Sequence, residues 1–335
     1  MLGLDETWVF HCTRTLTSPL TNTAVARGVD PLGGTVTSPP ASAYVDVLGA
    51  GLQIDKLAPS AAFLGSTVAY EYMIYNSGKS DFALADLTID DSGPGGCEPI
   101  RGPDTNGDND DVLEPGERWN FTCSLELAEP MVEYVEELDD GEENVVGASA
   151  FVSNTFTVTG VDQYGTPVEP DPVTARVAIS DPSISIVKTS DVPEDPGYVQ
   201  PGDLVTYTYE VRNESPYKTS QNHLSNVTVT DDKCDEVTFV EDSDDGDGEL
   251  GFIVDPDDPL KLISETWIFE CTTPLEEPTT NIGTASGTAV VGDDSRVVTD
   301  EDDETVFVSL PSFTVEKTAD RTTVFQAGQV IEYTI

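Results

Sequence analysis

The sequence predicts an all-β chain built from tandem immunoglobulin-like Greek-key β-sandwich domains in an extended rod. Three observations predict it. Lys56, Lys188 and Lys317 recur in like settings ("LQIDKLAPS", "SISIVKTSD", "FTVEKTADR") at intervals of 132 and 129 residues, so the chain is a repeat. Between these markers, Val, Thr and Tyr alternate in short runs bounded by Gly, Pro and Asp, which is the strand signal. No sustained helical period accompanies them, apart from a weak stretch, "PMVEYVEELDDG", that allows one turn. Short strands at such spacing argue for two packed sheets.

Each repeat opens on its lysine strand. A "LG" or "PG" turn leads to a tyrosine-rich strand, "VAYEYMIYN" or "VTYTYEVRN". The next strand, "LADLTIDDS" or "LSNVTVTDD", aligns Asp91 with Asp231. There Val227 and Val229 alternate with Thr228 and Thr230, so Asp231 continues the inward face. A cysteine and an acidic loop follow. Then comes a tryptophan strand that aligns Glu6, Trp8 and Cys12 with Glu117, Trp119 and Cys123, and with Glu265, Trp267 and Cys271. The strands "LTNTAVARG", "VSNTFTVTG" and "TTNIGTASG" align Asn22, Asn154 and Asn281. A closing strand, "VTARVAIS" or "ETVFVSL", ends the repeat. The chain divides into 1–48 (the end of a repeat), 49–181 and 182–309 (complete repeats) and 310–335 (the first strands of another). Only Asp181 and Pro182 separate one closing strand from the next lysine strand, which predicts a stiff joint.

Sixty-three acidic against 15 basic residues give a formal net charge of −48 over 335 residues. Such a chain repels nucleic acid and anionic membrane and attracts divalent cations. A solvated acidic coat explains the same charge. No apolar run approaches the ~18 residues of a spanning helix. The first residues show neither a basic segment nor an apolar one of signal-peptide type.

The repeat pairs Cys97 with Cys123 and Cys234 with Cys271, and leaves Cys12 with a partner outside the chain. Loops of 26 and 37 residues, closed in this way, gain roughly 3–4 kcal/mol each in the chain-entropy account. Disulfides place the chain in an oxidising, extracellular or cell-surface setting.

Lys56, Asp91 and Asn154 in one repeat match Lys188, Asp231 and Asn281 in the next; Lys317 and Asn22 hold the equivalent positions in the partial ones. A buried lysine tends to lose its proton and a buried carboxyl to keep one. A neutral amine beside an amide carbon is a nucleophile, and a protonated Asp can polarise that carbonyl and shuttle protons. The product is a Lys–Asn isopeptide bond. The same residues also suit a buried Lys–Asp ion pair capped by Asn, or a lysine that snorkels to the domain edge.

The combination "ISIVKTS…PGDLVTYTYEVRNES…LSNVTVTDDKC…ETWIFEC…TNIGTASG" resembles the conserved-repeat, DUF-eleven-like β-sandwich domains of bacterial and archaeal surface proteins, and is similar to Cna-B-type stalk domains. The resemblance implies a secreted, structural tandem repeat. It also implies self-formed Lys–Asn cross-links, with the Lys, Asp and Asn named above in those roles. Cna-B-type domains generally use a glutamate in a middle strand. Here Glu71 and Glu210 lie near that place without aligning, which leaves Asp91 and Asp231 as the candidates.

In the acidic loop "PDTNGDNDDVLEPGE", Asp104, Asn106, Asp108 and Asp110 stand at alternate positions, with Glu114 or Glu117 as a later ligand. Oxygen ligands at such spacing suit calcium. The second loop offers Asp242, Asp244, Asp245, Asp247 and Glu249. A charged surface loop needs no ion and fits both stretches too. Asn120, Asn213 and Asn226 stand in Asn-x-Ser/Thr sequons.

The sequence therefore points to a structural repeat segment of an extracellular stalk, sheath or filament, stiffened by disulfides, calcium and isopeptide bonds. Its partners are neighbouring repeats or copies of itself. The alternative is a calcium-dependent adhesin for a glycan or cell-surface ligand, with Tyr134 and the "SPYKTSQNH" loop as its irregular features. An enzyme is disfavoured: His11 and His223 lie in unlike contexts, no glycine-rich phosphate loop occurs, and acids are too plentiful to nominate a glycosidase pair. Head-to-tail strand complementation between the partial repeats is a further option. The middle of a domain is missing from both pieces, which favours a window on a longer repeat protein.

Overall fold

The computed structural model describes residues 6–30, 32–138, 145–195, 197–240 and 245–335. Among them every regular element is a strand, save short 3-10 turns at Leu84–Asp86, Glu129–Met131 and Ser220–Asn222. The chain is all-β, with many sheets. The stretch that allowed a helical turn makes one 3-10 turn and then an exposed strand, Glu133–Leu138, paired with Phe151 back to Val145. Backbone contacts divide the chain into two units. The first holds Met1–Pro59, Thr67–Glu126 and Ser153–Arg176; the second holds Ser60–Ser66, Leu127–Val152 and Val177–Ile335.

In the first unit, the tryptophan strand Arg118–Glu126, the tyrosine strand Thr67–Asn76 and the lysine strand Leu52–Leu57 run side by side, antiparallel, in one four-stranded sheet completed by Ile100–Arg101. Period-two alternation turns Val68, Tyr70, Tyr72 and Ile74 inward from the tyrosine strand, and Trp119, Phe121 and Cys123 from its neighbour. The aspartate strand Leu87–Ser92 belongs to another sheet, where it pairs with residues 155–160 of the asparagine strand.

The second unit repeats this plan. Ile184–Ser190, Asp203–Asn213, Thr266–Leu275 and Thr238–Phe239 form one sheet; Ser225–Asp231, Thr279–Val291 and Asp294–Val306 form another. Both arrangements are consistent with a β-sandwich. The core gathers Ile184, Ile186, Val205, Tyr207, Tyr209, Trp267 and Phe269.

The registers coincide. Lys56 lies opposite Tyr72, which lies opposite Phe121; Tyr70 lies opposite Cys123. Lys188 lies opposite Tyr209, which lies opposite Phe269; Tyr207 lies opposite Cys271. Asp91 faces Phe156 across its ladder and Asp231 faces Gly283, each two residues beyond the asparagine. A one-residue slip would turn every one of these side chains outward, so burial of one face fixes the pattern.

The lysine strand of the second unit is an edge strand, and its free amides are covered. Asp300 accepts from the Ile186 amide at 3.0 Å and Asp302 from the Lys188 amide at 2.8 Å, while Glu304 accepts from the Ser190 hydroxyl at 2.9 Å. Part of the acidic charge thus blunts an edge.

Gly283 leaves room for the Tyr209 ring: a Cβ there would lie 2.7 Å from the ring carbon Cε1. Gly283→Ala should cost about 1–3 kcal/mol by displacing that ring. Thermal unfolding of the variant would show a lowered Tm; an unchanged Tm would contradict this packing.

Candidate functional site

Period-two alternation delivers the lysine of one sheet and the aspartate of the other into each sandwich interior. In the first unit, the Lys56 ammonium donates to Asp91 Oδ1, and both side chains are fully buried. The Tyr72 hydroxyl donates to Asp91 Oδ2 at 2.8 Å, and the Asn154 amide donates to the same oxygen at 2.7 Å. Asn154 Nδ2 also donates to the Gly95 carbonyl at 2.6 Å, while its Oδ1 is buried without a hydrogen-bond partner. One carboxylate therefore touches both the amine and the amide nitrogen. The amine lies 5.0 and 5.1 Å from the ring centres of Tyr70 and Tyr72. Burial pushes Lys56 below the usual lysine range, against the upward pull of Asp91. Burial, reinforced by Asp91, pushes the Tyr72 hydroxyl up and keeps it a donor.

In the second unit, Lys188 Nζ donates to Asp231 Oδ2 at 2.7 Å, with both side chains fully buried. The Tyr209 hydroxyl donates to the same oxygen at 2.5 Å, and the amides of Lys233 and Cys234 donate to Oδ1, each at 2.8 Å. Burial pushes Asp231 up, but these donors outweigh it and hold the carboxyl below its ordinary value. Lys188 is lowered by burial, against its aspartate. Asn281 is fully buried, and neither atom of its amide makes a hydrogen bond.

A disulfide walls each cluster. Cys97 is bonded to Cys123 and Cys234 to Cys271, with Cα atoms 6.3 Å apart in both pairs. The tyrosine hydroxyls lie 3.0 Å from Cys123 Sγ and 3.1 Å from Cys271 Sγ. Cys12 is free and exposed. Asn22 is exposed on the hairpin of Leu20–Ala24 with Ala41–Val45, and Lys317 is exposed with its amine 4.3 Å from the Tyr333 ring centre, so neither enters such a cluster. Glu71 faces outward, and Glu210 pairs with Arg212 at 3.2 Å.

In the sequence Tyr72 and Tyr209 stand out only as strand markers. Their recurrence within "YEY" and "YTY", always opposite the lysine, is the signal that could have named them as donors.

The acidic loops divide differently from the alternating pattern. Asp104 is held by Arg101 at 2.9 Å and Asn106 is exposed, whereas Asp108, Asp110 and Glu114 bring carboxylate oxygens within 4.8 Å of one another. Glu117 is buried beside them. Burial first, then the neighbouring Glu114 and Asp104, raise its carboxyl to about 7. In the second loop, Asp245 and Asp247 group with buried Glu265, and Glu249 lies 3.3 Å from His223; Asp242 and Asp244 fall outside the described residues.

Among the sequons, Asn213 is not an accessible acceptor. It is buried, and its amide donates to the carbonyls of Asn222 and Leu250. Asn120 donates to Pro103 and Thr105; Asn226 is exposed.

No protein-family model matches the chain, and no curated protein matches it. It is similar to two solved structures of Escherichia coli alpha-2-macroglobulin. Against the form activated by porcine elastase, the TM-score is 0.24 at 11% identity, covering 89% of this chain and 26% of that one. Against the trypsin-activated form, it is 0.24 at 12%, covering 91% and 21%. The chain thus spans about a quarter of their length. No helix among the described residues is long and apolar enough to cross a membrane.

Of two variants that both lack the aspartate, Asp91→Ala should be the less stable by about 3–5 kcal/mol, because it strands a buried ammonium that Lys56→Met with Asp91→Leu removes. Urea titration of both variants with disulfides intact checks the pair. Equal destabilisation by both would contradict a dominant charge effect.

Proposed function

We propose that this chain is a structural segment of an extracellular stalk, sheath or filament, made of tandem immunoglobulin-like repeats in a rod. Within each repeat, the buried lysine joins the asparagine as an isopeptide bond. What carries the reading is one cluster of lysine, aspartate, tyrosine and disulfide held in the same register in two repeats, with the asparagine hydrogen-bonded to the aspartate in the first. An ion pair capped by the asparagine uses the same residues, but it gives little stability in return for its desolvation, so its recurrence is less easily explained. Calcium, if bound in the acidic loops, would stiffen the same segment.

The step balances within the chain. Lysine Nζ, as the free amine, attacks asparagine Cγ; the Nζ–Cγ bond forms and the Cγ–Nδ2 bond breaks. The aspartate takes the proton lost by Nζ and returns it to Nδ2, which leaves as ammonia. In the first unit, Asp91 already accepts from both nitrogens. The bonds Lys56–Asn154 and Lys188–Asn281 would close loops of 98 and 93 residues. The chain needs no external substrate for this chemistry.

The adhesin reading has one observation in its favour. Tyr134 and Tyr217, from the two irregular stretches, pack with ring centres 5.9 Å apart and Tyr134 partly exposed. Clustered tyrosines suit a sugar face, but a single tilted pair offers little area for binding.

Intact mass under reducing, denaturing conditions tests the main reading. Each bond releases one ammonia, a loss of about 17 Da. The chain should be light by two such losses and Lys188→Ala by one. An unshifted mass would return both clusters to ion pairs.

A further inference from the structure

The acidic loop of the first unit contains an oxygen with nothing to bind. Glu117 is buried to 2% exposure, and its Oε1 has no hydrogen-bond partner. Its Oε2 accepts from the Glu114 amide at 2.9 Å, which fixes the carboxylate plane. Oε1 then points into the loop: a Cβ on Gly107 would lie 1.6 Å from it, so the loop backbone closes directly over this atom. Leaving such an oxygen bare costs free energy, and native structures almost always supply a partner.

The surroundings say what kind of partner fits. Asp108, Asp110 and Glu114 present carboxylate oxygens within 4.8 Å of one another, and the Glu114 carboxyl lies within hydrogen-bonding reach of Glu117. Oxygens bound to one calcium at 2.3–2.6 Å lie at most roughly 5 Å apart. Acidic side chains gathered here repel a further anion, and no donor among the described residues reaches Glu117 Oε1. Arg101 enters the same loop, where it donates to Asp104, Asp111 and the Asp110 carbonyl, but it does not satisfy Glu117 Oε1.

We infer that Asp108, Asp110, Glu114 and Glu117 form a calcium site, with Glu117 Oε1 as its buried ligand. The set differs from the alternating one: Asp104 belongs to Arg101, and the late glutamate takes its place. The repeat supplies its own control. Glu265 aligns with Glu117 and is equally buried, but both of its oxygens are satisfied, by the amides of Asp245 at 2.9 Å and Gly251 at 3.2 Å. The second glutamate therefore lacks the bare oxygen that marks the first, although it too groups with two aspartates. The site stands independently of the cross-link.

The test is calorimetric titration of the full chain with calcium after chelator treatment, in about 0.15 M KCl so that diffuse attraction to the acidic surface is screened. One saturable site is expected. Glu117→Gln should weaken it at least tenfold, Asp108→Asn with Asp110→Asn should do the same from exposed positions, and Glu265→Gln should leave it unchanged. Absence of saturable binding in the parent chain would overturn the site. So would binding that both sets of loop variants leave intact. Equal affinity for magnesium, which demands a tighter octahedral shell, would overturn the assignment to calcium.

Discussion

A lysine amine enclosed by two tyrosine rings can place its charge only on the aspartate that reaches it from the other sheet. This contact constrains everything around it in each unit. It fixes the register of the lysine strand, because a slip would exchange Lys56 or Lys188 for an outward residue. It draws the tyrosine hydroxyl onto the same carboxylate, and that hydroxyl lies against the disulfide. Burial of both charges gives little net stability of its own. Its effect is to specify one alignment of two sheets and to lower the lysine toward the neutral, nucleophilic form.

The two clusters are not equal. Asp91 bridges lysine and asparagine, with the Cys97 amide only at 3.4 Å. Asp231 is occupied by two backbone amides at 2.8 Å and leaves Asn281 without a hydrogen bond. The residue two positions beyond the asparagine also differs. In the first unit Phe156 packs on Tyr72 with ring centres 4.7 Å apart; in the second, Gly283 offers no side chain and Tyr209 lies over its backbone. Only in the first cluster does the aspartate hold the asparagine as well as the lysine.

Much of this was legible because the chain repeats. A lysine in a strand is ambiguous once, but Lys56 and Lys188 with matching Asp, Asn and Cys neighbours define a position. The inward turn of Asp231 followed from its valine neighbours. Other features depend on partners far apart in sequence. Nothing in the sequence singles out Asp300, Asp302 and Glu304, yet they cover the lysine strand. Asp104 read as an ion ligand, yet Arg101 holds it. Asn213 read as a sequon, yet it ends a tyrosine strand and ties two loops together, as Asn76 does through Ser80 and Leu113. A triplet carries no record of burial. In "MVEYVEEL" strand pairing overrode a weak helical period, because its neighbour Val145–Phe151 offered a ladder.

The central claim is that these clusters are covalent joints, and the site of the bond can be read directly. Protease digestion of the reduced chain, followed by tandem mass spectrometry, should yield a branched peptide in which Lys56 carries Asn154 through its side-chain amide. A second branched peptide should join Lys188 to Asn281. Recovery of only linear peptides, with all four side chains unmodified, would contradict the account.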